Sequence, residues 1–178
     1  MRSSQLFFLA TLLAFCAPKK IISNKDPSFS KEIRKVFVVF RGTEDGRIFF
    51  EGLSQEVKST FIARNVDAET YLLIDGLSTS EEVKEINRQI DDYFPDVVMR
   101  FNQEPLIGKT RGLAKPVNGT YLGVQLNEFP EGPVVWQAFV ELSAENVNTA
   151  QLKEQGEMVT NLVFKTLERD KLIPAFKR

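Results

Sequence analysis

The chain has 178 residues, 43% hydrophobic and 26% charged, with 23 Lys and Arg against 24 Asp and Glu. That suffices for one globular domain plus a short extra segment, and it supplies neither the basic field that holds nucleic acid nor a strongly acidic one. Histidine is absent and Cys16 is the only cysteine, which excludes zinc clusters, disulfides within the chain, Cys/His nucleophiles and Ser-His-Asp triads by inventory.

Met1-Arg-Ser-Ser-Gln5 leads into a mostly apolar run from Leu6 to Phe15. As a helix that run would be roughly 15 Å long, half of a ~30 Å hydrocarbon core, too short to span a membrane. A basic start, a short apolar middle and a polar exit make 1–15 an expected export signal. Leu13-Ala-Phe-Cys16 resembles the lipobox of bacterial lipoproteins, with Phe15 where that motif has a small residue. The resemblance implies a diacylglycerol on Cys16 and attachment to a membrane through it. The alternative is an ordinary signal with an incidental cysteine, or an uncleaved anchor. Ala17 to Lys31 is polar, with Pro18, Pro27 and four lysines, and 16–31 reads as the lipidated cysteine followed by a flexible tether. The lysines serve either an anionic lipid surface or plain solubility.

The single domain expected over 32–178 starts from Lys35-Val-Phe-Val-Val-Phe-Arg41, whose five consecutive apolar residues leave neither face suited to water. Such a strand is central and covered on both sides. Gly42 and Gly46 mark a turn, and Ile48 to Asn65 carries Phe49, Leu53, Val57 and Phe61 on one helical stripe. A second strand runs from Ala68 to Asp75. Thr79 followed by Glu82 has the spacing of a capping box, opening a helix with Val83, Ile86, Ile90 and Phe94 as its stripe. A third strand covers Asp96 to Phe101. Asn102 to Asn118, with Pro105, Gly108, Gly112 and Pro116, reads as a long loop. Thr120 to Asn127 alternates with Leu122, Val124 and Leu126 inward, and Val134 to Leu142 returns with Trp136, Ala138, Val140 and Leu142 inward, an antiparallel hairpin. Thr149 to Asp170 is a long final helix. The fold class is therefore α+β, a mixed sheet of about five strands with three helices packed on it, in the order β-α-β-α-β-β-β-α. One layer of helices is expected to account for the stripes.

Candidate sites are few. Gly108-Lys-Thr110 lacks the first glycine of a phosphate-binding loop, since Gln103 stands there, and Gly112 and Pro116 forbid the helix that should follow. No nucleotide and no cofactor is expected. Gly42 and Gly46 could hold an anion at a helix start, but Glu44 and Asp45 in the same turn would repel it. Asp91 and Asp92 point different ways and read as a solvated face, and no carboxylate pair suggests a hydrolase. Two features remain as contact surfaces. The outer hairpin face carries Tyr121, Gln125, Gln137, Phe139 and Glu141, which are either a partner surface or covered by a helix or loop. The loop combines Lys109, Arg111 and Lys115 with Leu106, Ile107 and Leu113, and is either functional or disordered.

The element order, Phe94-Pro-Asp-Val-Val-Met-Arg-Phe101 and Val134-Val-Trp136-Gln-Ala before the last helix resemble small bacterial envelope lipoproteins of an uncharacterised, domain-of-unknown-function type. Their fold is like that of the amino-terminal domain of the Tol-system propeller protein. The resemblance covers roughly Ile33 to Pro174 and implies a non-enzymatic adaptor or assembly factor with an envelope protein as partner. The implied location is the periplasmic side of the cell envelope. Ala17, where an inner-membrane retention signal would have aspartate, favours the outer membrane. The alternative function is binding of a lipid or small molecule in a cleft between helices and sheet.

Overall fold

The computed structural model describes residues 21–105, 120–142 and 149–176. Its elements are β1 (Ile21–Lys25), β2 (Lys35–Gly42), α1 (Arg47–Ile62), β3 (Asp67–Ile74), α2 (Ser80–Tyr93), β4 (Val97–Pro105), β5 (Thr120–Glu128), β6 (Val134–Leu142) and α3 (Thr149–Arg169), with a single 3-10 turn at Glu44–Gly46 ahead of α1. The six strands form one sheet in the order β1-β6-β5-β4-β2-β3. β2 pairs in parallel with β3 and β4, while β4-β5, β5-β6 and β6-β1 are antiparallel. The mixed α+β sheet with three helices is thus as expected, with one strand more.

That extra strand corrects the tether. Ile21–Lys25 pairs in register with Val140 back to Trp136, and its Lys25 Nζ donates to the backbone oxygen of Asp170 at 2.9 Å. Ile21 packs against the core while Ile22 faces out, the period-2 pattern of a half-buried strand. Five residues are too few for that pattern to stand out from a polar segment in the sequence. Phe29, further along the same segment, is also buried.

The helices do not form one layer. β2 sends Val36, Val38 and Phe40 into a large core shared with Phe50, Leu53, Val57 and Phe61 of α1 and Val159, Val163, Phe164 and Leu167 of α3. Its other face gives Phe37 and Val39 to a second, smaller core with Ile86 and Ile90 of α2 and Val98 of β4. A strand apolar on both faces needs cover on both faces, and α2 supplies the second. Within the larger core Phe61 and Phe164 meet edge to face with ring centres 4.5 Å apart. The Arg64–Glu168 ion pair at 2.7 Å closes the same helix contact.

The stripe on α2 is narrower than its sequence suggests. Thr79 caps the helix by accepting from Glu82 N at 3.2 Å, and Ile86 and Ile90 are buried, but Val83 and Phe94 are exposed. β4 also runs four residues further than expected, to Pro105, because β5 pairs with it along its whole length. Asp96, just before β4, ties two strands together by accepting from Arg34 N at 2.9 Å and Lys35 N at 3.0 Å. Lys31 pairs with the same carboxylate at 3.1 Å.

Candidate functional site: the open half of the sheet

α2 lies over β3, β2 and the first part of β4, so among the described residues nothing lies over β5, β6 and β1 on that face. The register puts the five hairpin residues singled out in the sequence together on it: Tyr121 is opposite Glu141, Gly123 opposite Phe139, and Gln125 opposite Gln137. Tyr121, Gln125 and Gln137 are half-buried by their strand neighbours, whereas Phe139 and Glu141 are exposed. Arg100 of β4 stands opposite Gln125 and extends the same surface.

Sequence reasoning missed the rest of the site. Ile22, 60% exposed, is the cross-strand partner of Phe139, and it was out of view because its strand read as tether. Val83, one helical turn before the groove residue Asn87, and Phe94, the residue that caps α2, are 45% and 71% exposed; their helical spacing also matches a buried stripe. Phe94 meets Phe129 edge to face at 5.3 Å. Val134, opposite Asn127, is exposed as well. Five of the nine exposed large hydrophobics among the described residues therefore surround this one half of one face.

Between α2 and the hairpin runs a groove of about 390 Å³, lined by residues that include Asn87, Asp91, Arg100, Asn127, Phe129 and Glu131. Arg100 is its one basic residue, beside Asp91, Glu128 and Glu131. Its Nη1 donates to Asn127 Oδ1 at 3.0 Å, no carboxylate among the described residues lies within ion-pairing distance of it, and burial pulls its pKa below the usual arginine value. Asp91 and Asp92 diverge, as expected: Asp92 pairs with Arg88 at 2.9 Å while Asp91 lines the groove. The surface thus offers aromatic, aliphatic and amide contacts together with charges of both signs, Arg100 against Asp91, Glu128, Glu131 and Glu141.

A second groove, about 280 Å³, lies between α1 and α3, lined by Gly52 and Gly156 with Ile48, Phe49, Leu53 and Leu152 among others. The Gly42 to Gly46 turn is a tight connection in which Glu44 is bound by Arg47 at 2.8 Å. Among the described residues no group of three His, Cys, Asp or Glu is placed to hold a metal ion, and no helix is long and apolar enough to cross a membrane. Cys16, Lys109, Arg111 and Lys115 lie outside the described residues.

No family model matches the chain, and no curated protein matches it. Several solved structures align with it at low identity. A PelC dodecamer from Paraburkholderia phytofirmans is 14% identical, with a TM-score of 0.42 over 79% of this chain and 93% of that one. A DUF330 protein from Xanthomonas campestris is 12% identical, with a TM-score of 0.40 over 86% of this chain and 92% of that one. A PDZ domain protein from Parabacteroides distasonis is 8% identical, with a TM-score of 0.40 over 81% of this chain and 35% of that one. None of these three is a Tol-system protein, so they lend no support to that likeness. At such identities and scores they assign no family, activity or partner to this chain.

Proposed function

We propose that the chain is an exported envelope protein, anchored by a lipid on Cys16 at the periplasmic side of a membrane, the outer membrane by preference. It acts without chemistry of its own, as an adaptor or assembly factor of the uncharacterised lipoprotein type. The observation that carries this reading is the clustering of exposed apolar side chains, Phe139 and Ile22 with Phe94, Val83 and Val134, around the half of the sheet that the described residues leave uncovered. A solvated sheet face needs no such cluster, since scattered single exposed residues are the ordinary case.

The address and the partner are separable, and so are their tests. The mass of the amino-terminal peptide from the native membrane fraction should be that of an acylated Cys16; an unmodified Met1 would remove the anchor. A photo-activatable residue placed at Gln137 of the full chain should capture one discrete protein in intact envelopes, and the same probe at Gln55 on α1 should not. Equal capture from both positions would remove the adaptor reading.

The groove between α1 and α3 favours a second reading, binding of a small apolar molecule. Filling it with Gly52→Leu should abolish uptake of a fluorescent fatty acid if that reading holds; unchanged uptake would exclude the groove.

A further inference from the structure

The segment ahead of β2 is held in two different ways. Phe29 and Ile33, 7% and 1% exposed, belong to the larger core, Ile33 N donates to the backbone oxygen of Leu172 at 2.8 Å, and Lys31 pairs with Asp96 at 3.1 Å. From Phe29 onward the chain is therefore part of the packed domain. β1 is not packed in this way. Its residues are half-buried or exposed, and of its two apolar side chains only Ile21 touches the core.

What fastens β1, among the described residues, is mainly polar. Its backbone pairs with residues 136 to 140 of β6, and Lys25 Nζ donates to the backbone oxygen of Asp170. Ser23 Oγ accepts from Arg169 Nη2 at 2.7 Å, and Asp170 sets that guanidinium in place by accepting from its Nε at 2.9 Å and its Nη2 at 3.3 Å. Half-exposed polar bonds exchange for bonds to water at small net cost, whereas buried apolar surface has no such substitute. Local opening draws on segments with few buried apolar contacts, and β1 is such a segment.

Between β1 and Phe29 lies Asp26-Pro27-Ser28, a turn that closes on itself. Asp26 Oδ1 accepts from Ser28 N at 2.8 Å and from Ser28 Oγ at 2.7 Å, and Phe29 N donates to the backbone oxygen of Asp26 at 3.1 Å. These bonds need nothing from β1, so the turn is a ready pivot. β6 does not depend on β1 either. Its Trp136, Ala138 and Val140 are buried in the core, and β5 pairs along its length on the other side.

We infer that β1 is a strap, which leaves β6 and returns to it as a unit, pivoting at Asp26-Pro27-Ser28, while the sheet from β6 to β3 stays folded. Closed, it covers an edge that would otherwise be open to pairing with other chains. Open, it frees 21–25, about 16 Å of extended chain. That length becomes added reach from a membrane only on the lipid-anchor reading above. The strap itself needs no anchor, so an unmodified Met1 would remove the reach and leave the strap.

The test is hydrogen exchange of the full chain in detergent, over a series of denaturant concentrations below the unfolding transition. Amides of 21–25 that bond to β6 should exchange at least tenfold faster than those of β2, and more slowly than a free peptide. Their rates should hardly change with denaturant, because the opening exposes little surface, while those of β2 should rise steeply. Ser23→Ala combined with Lys25→Met should speed exchange in 21–25 at least threefold and leave β2 and the unfolding midpoint, read by Trp136 fluorescence, unchanged. A common rate and denaturant slope for β1 and β2 would overturn the inference, since β1 would then open only with the whole domain. Free-peptide rates in 21–25 would overturn it as well, because no closed state would exist. So would a double variant that leaves 21–25 unchanged or speeds β2 equally.

Discussion

The indole Nε1 of Trp136 donates to Asp170 Oδ2 at 2.9 Å, joining the single tryptophan in the inner face of β6 to the residue that follows α3. Ser23 of β1 reaches the same carboxylate at 3.4 Å, and Lys25 reaches the backbone oxygen of Asp170 at 2.9 Å. Asp170 thus fastens the edge strand, the hairpin and the last helix at one point, on the face away from the open half of the sheet.

Asp170→Ala should cost about 2 kcal/mol, because a nearly inaccessible indole N–H loses its acceptor. For a domain of this size that is a fall of roughly 4–8 °C in thermal midpoint. Burial by itself would raise the pKa of Asp170, but hydrogen bonds from Arg169, Trp136 and Ser23, with the Arg169 charge, outweigh it and hold the carboxyl below its ordinary 3.8. A group whose folded pKa is depressed contributes stability above its unfolded pKa and loses it as pH falls through the folded value. The wild-type midpoint should therefore drop from about pH 4 downward, and Asp170→Asn should flatten that drop. An identical acid profile for the two proteins would show that Asp170 is not the group responsible.

Hydrogen exchange decides between strand and tether for the segment ahead of the domain. The amides of Ile21–Lys25 that bond to β6 should be protected well beyond the exchange rates of a free peptide. Exchange at free-peptide rates throughout 21–25 would restore the tether.

Phe94→Asn should leave the thermal midpoint within about 2 °C of wild type, since relief of the left-handed backbone offsets the lost ring contact with Phe129. An ordinary aromatic truncation in a core costs about 3–5 kcal/mol. A loss of that size would mean that Phe94 is a structural residue and would weaken its assignment to a binding surface.

Two glycines give opposite outcomes. A Cβ at Gly42 would collide with the ring of Phe50, itself buried in the core, so Gly42→Ala should destabilise by about 1–3 kcal/mol. At Gly52, inside α1, a Cβ meets nothing within 4 Å, so Gly52→Ala should stabilise by about 0.5–1 kcal/mol through helix propensity. Denaturant midpoints of the two variants, read by the fluorescence of Trp136, should move in opposite directions; movement in the same direction would contradict this packing.

Much of the fold was legible because it is written in short-range periodicity. The unbroken apolar run of Val36 to Phe40, the stripe of Phe49, Leu53, Val57 and Phe61, the cap of Thr79 and the alternation of β5 and β6 each determine a local conformation by themselves. The grouping of Tyr121, Gln125, Gln137, Phe139 and Glu141 on one face followed from the same alternation, since residues two apart in a strand share a side. What the sequence could not decide was which of those sides the described residues leave uncovered. That depends on where α2 lands, and an amphipathic helix carries its pattern but not its destination, so one apolar stripe is equally compatible with either face of the sheet. Nor could the sequence show Ile22 beside Phe139, or Arg100 beside Asn127, because those contacts exist only when β1 adds to β6 and β4 pairs with β5. The candidate face is a product of strand order and helix placement, both set by long-range packing.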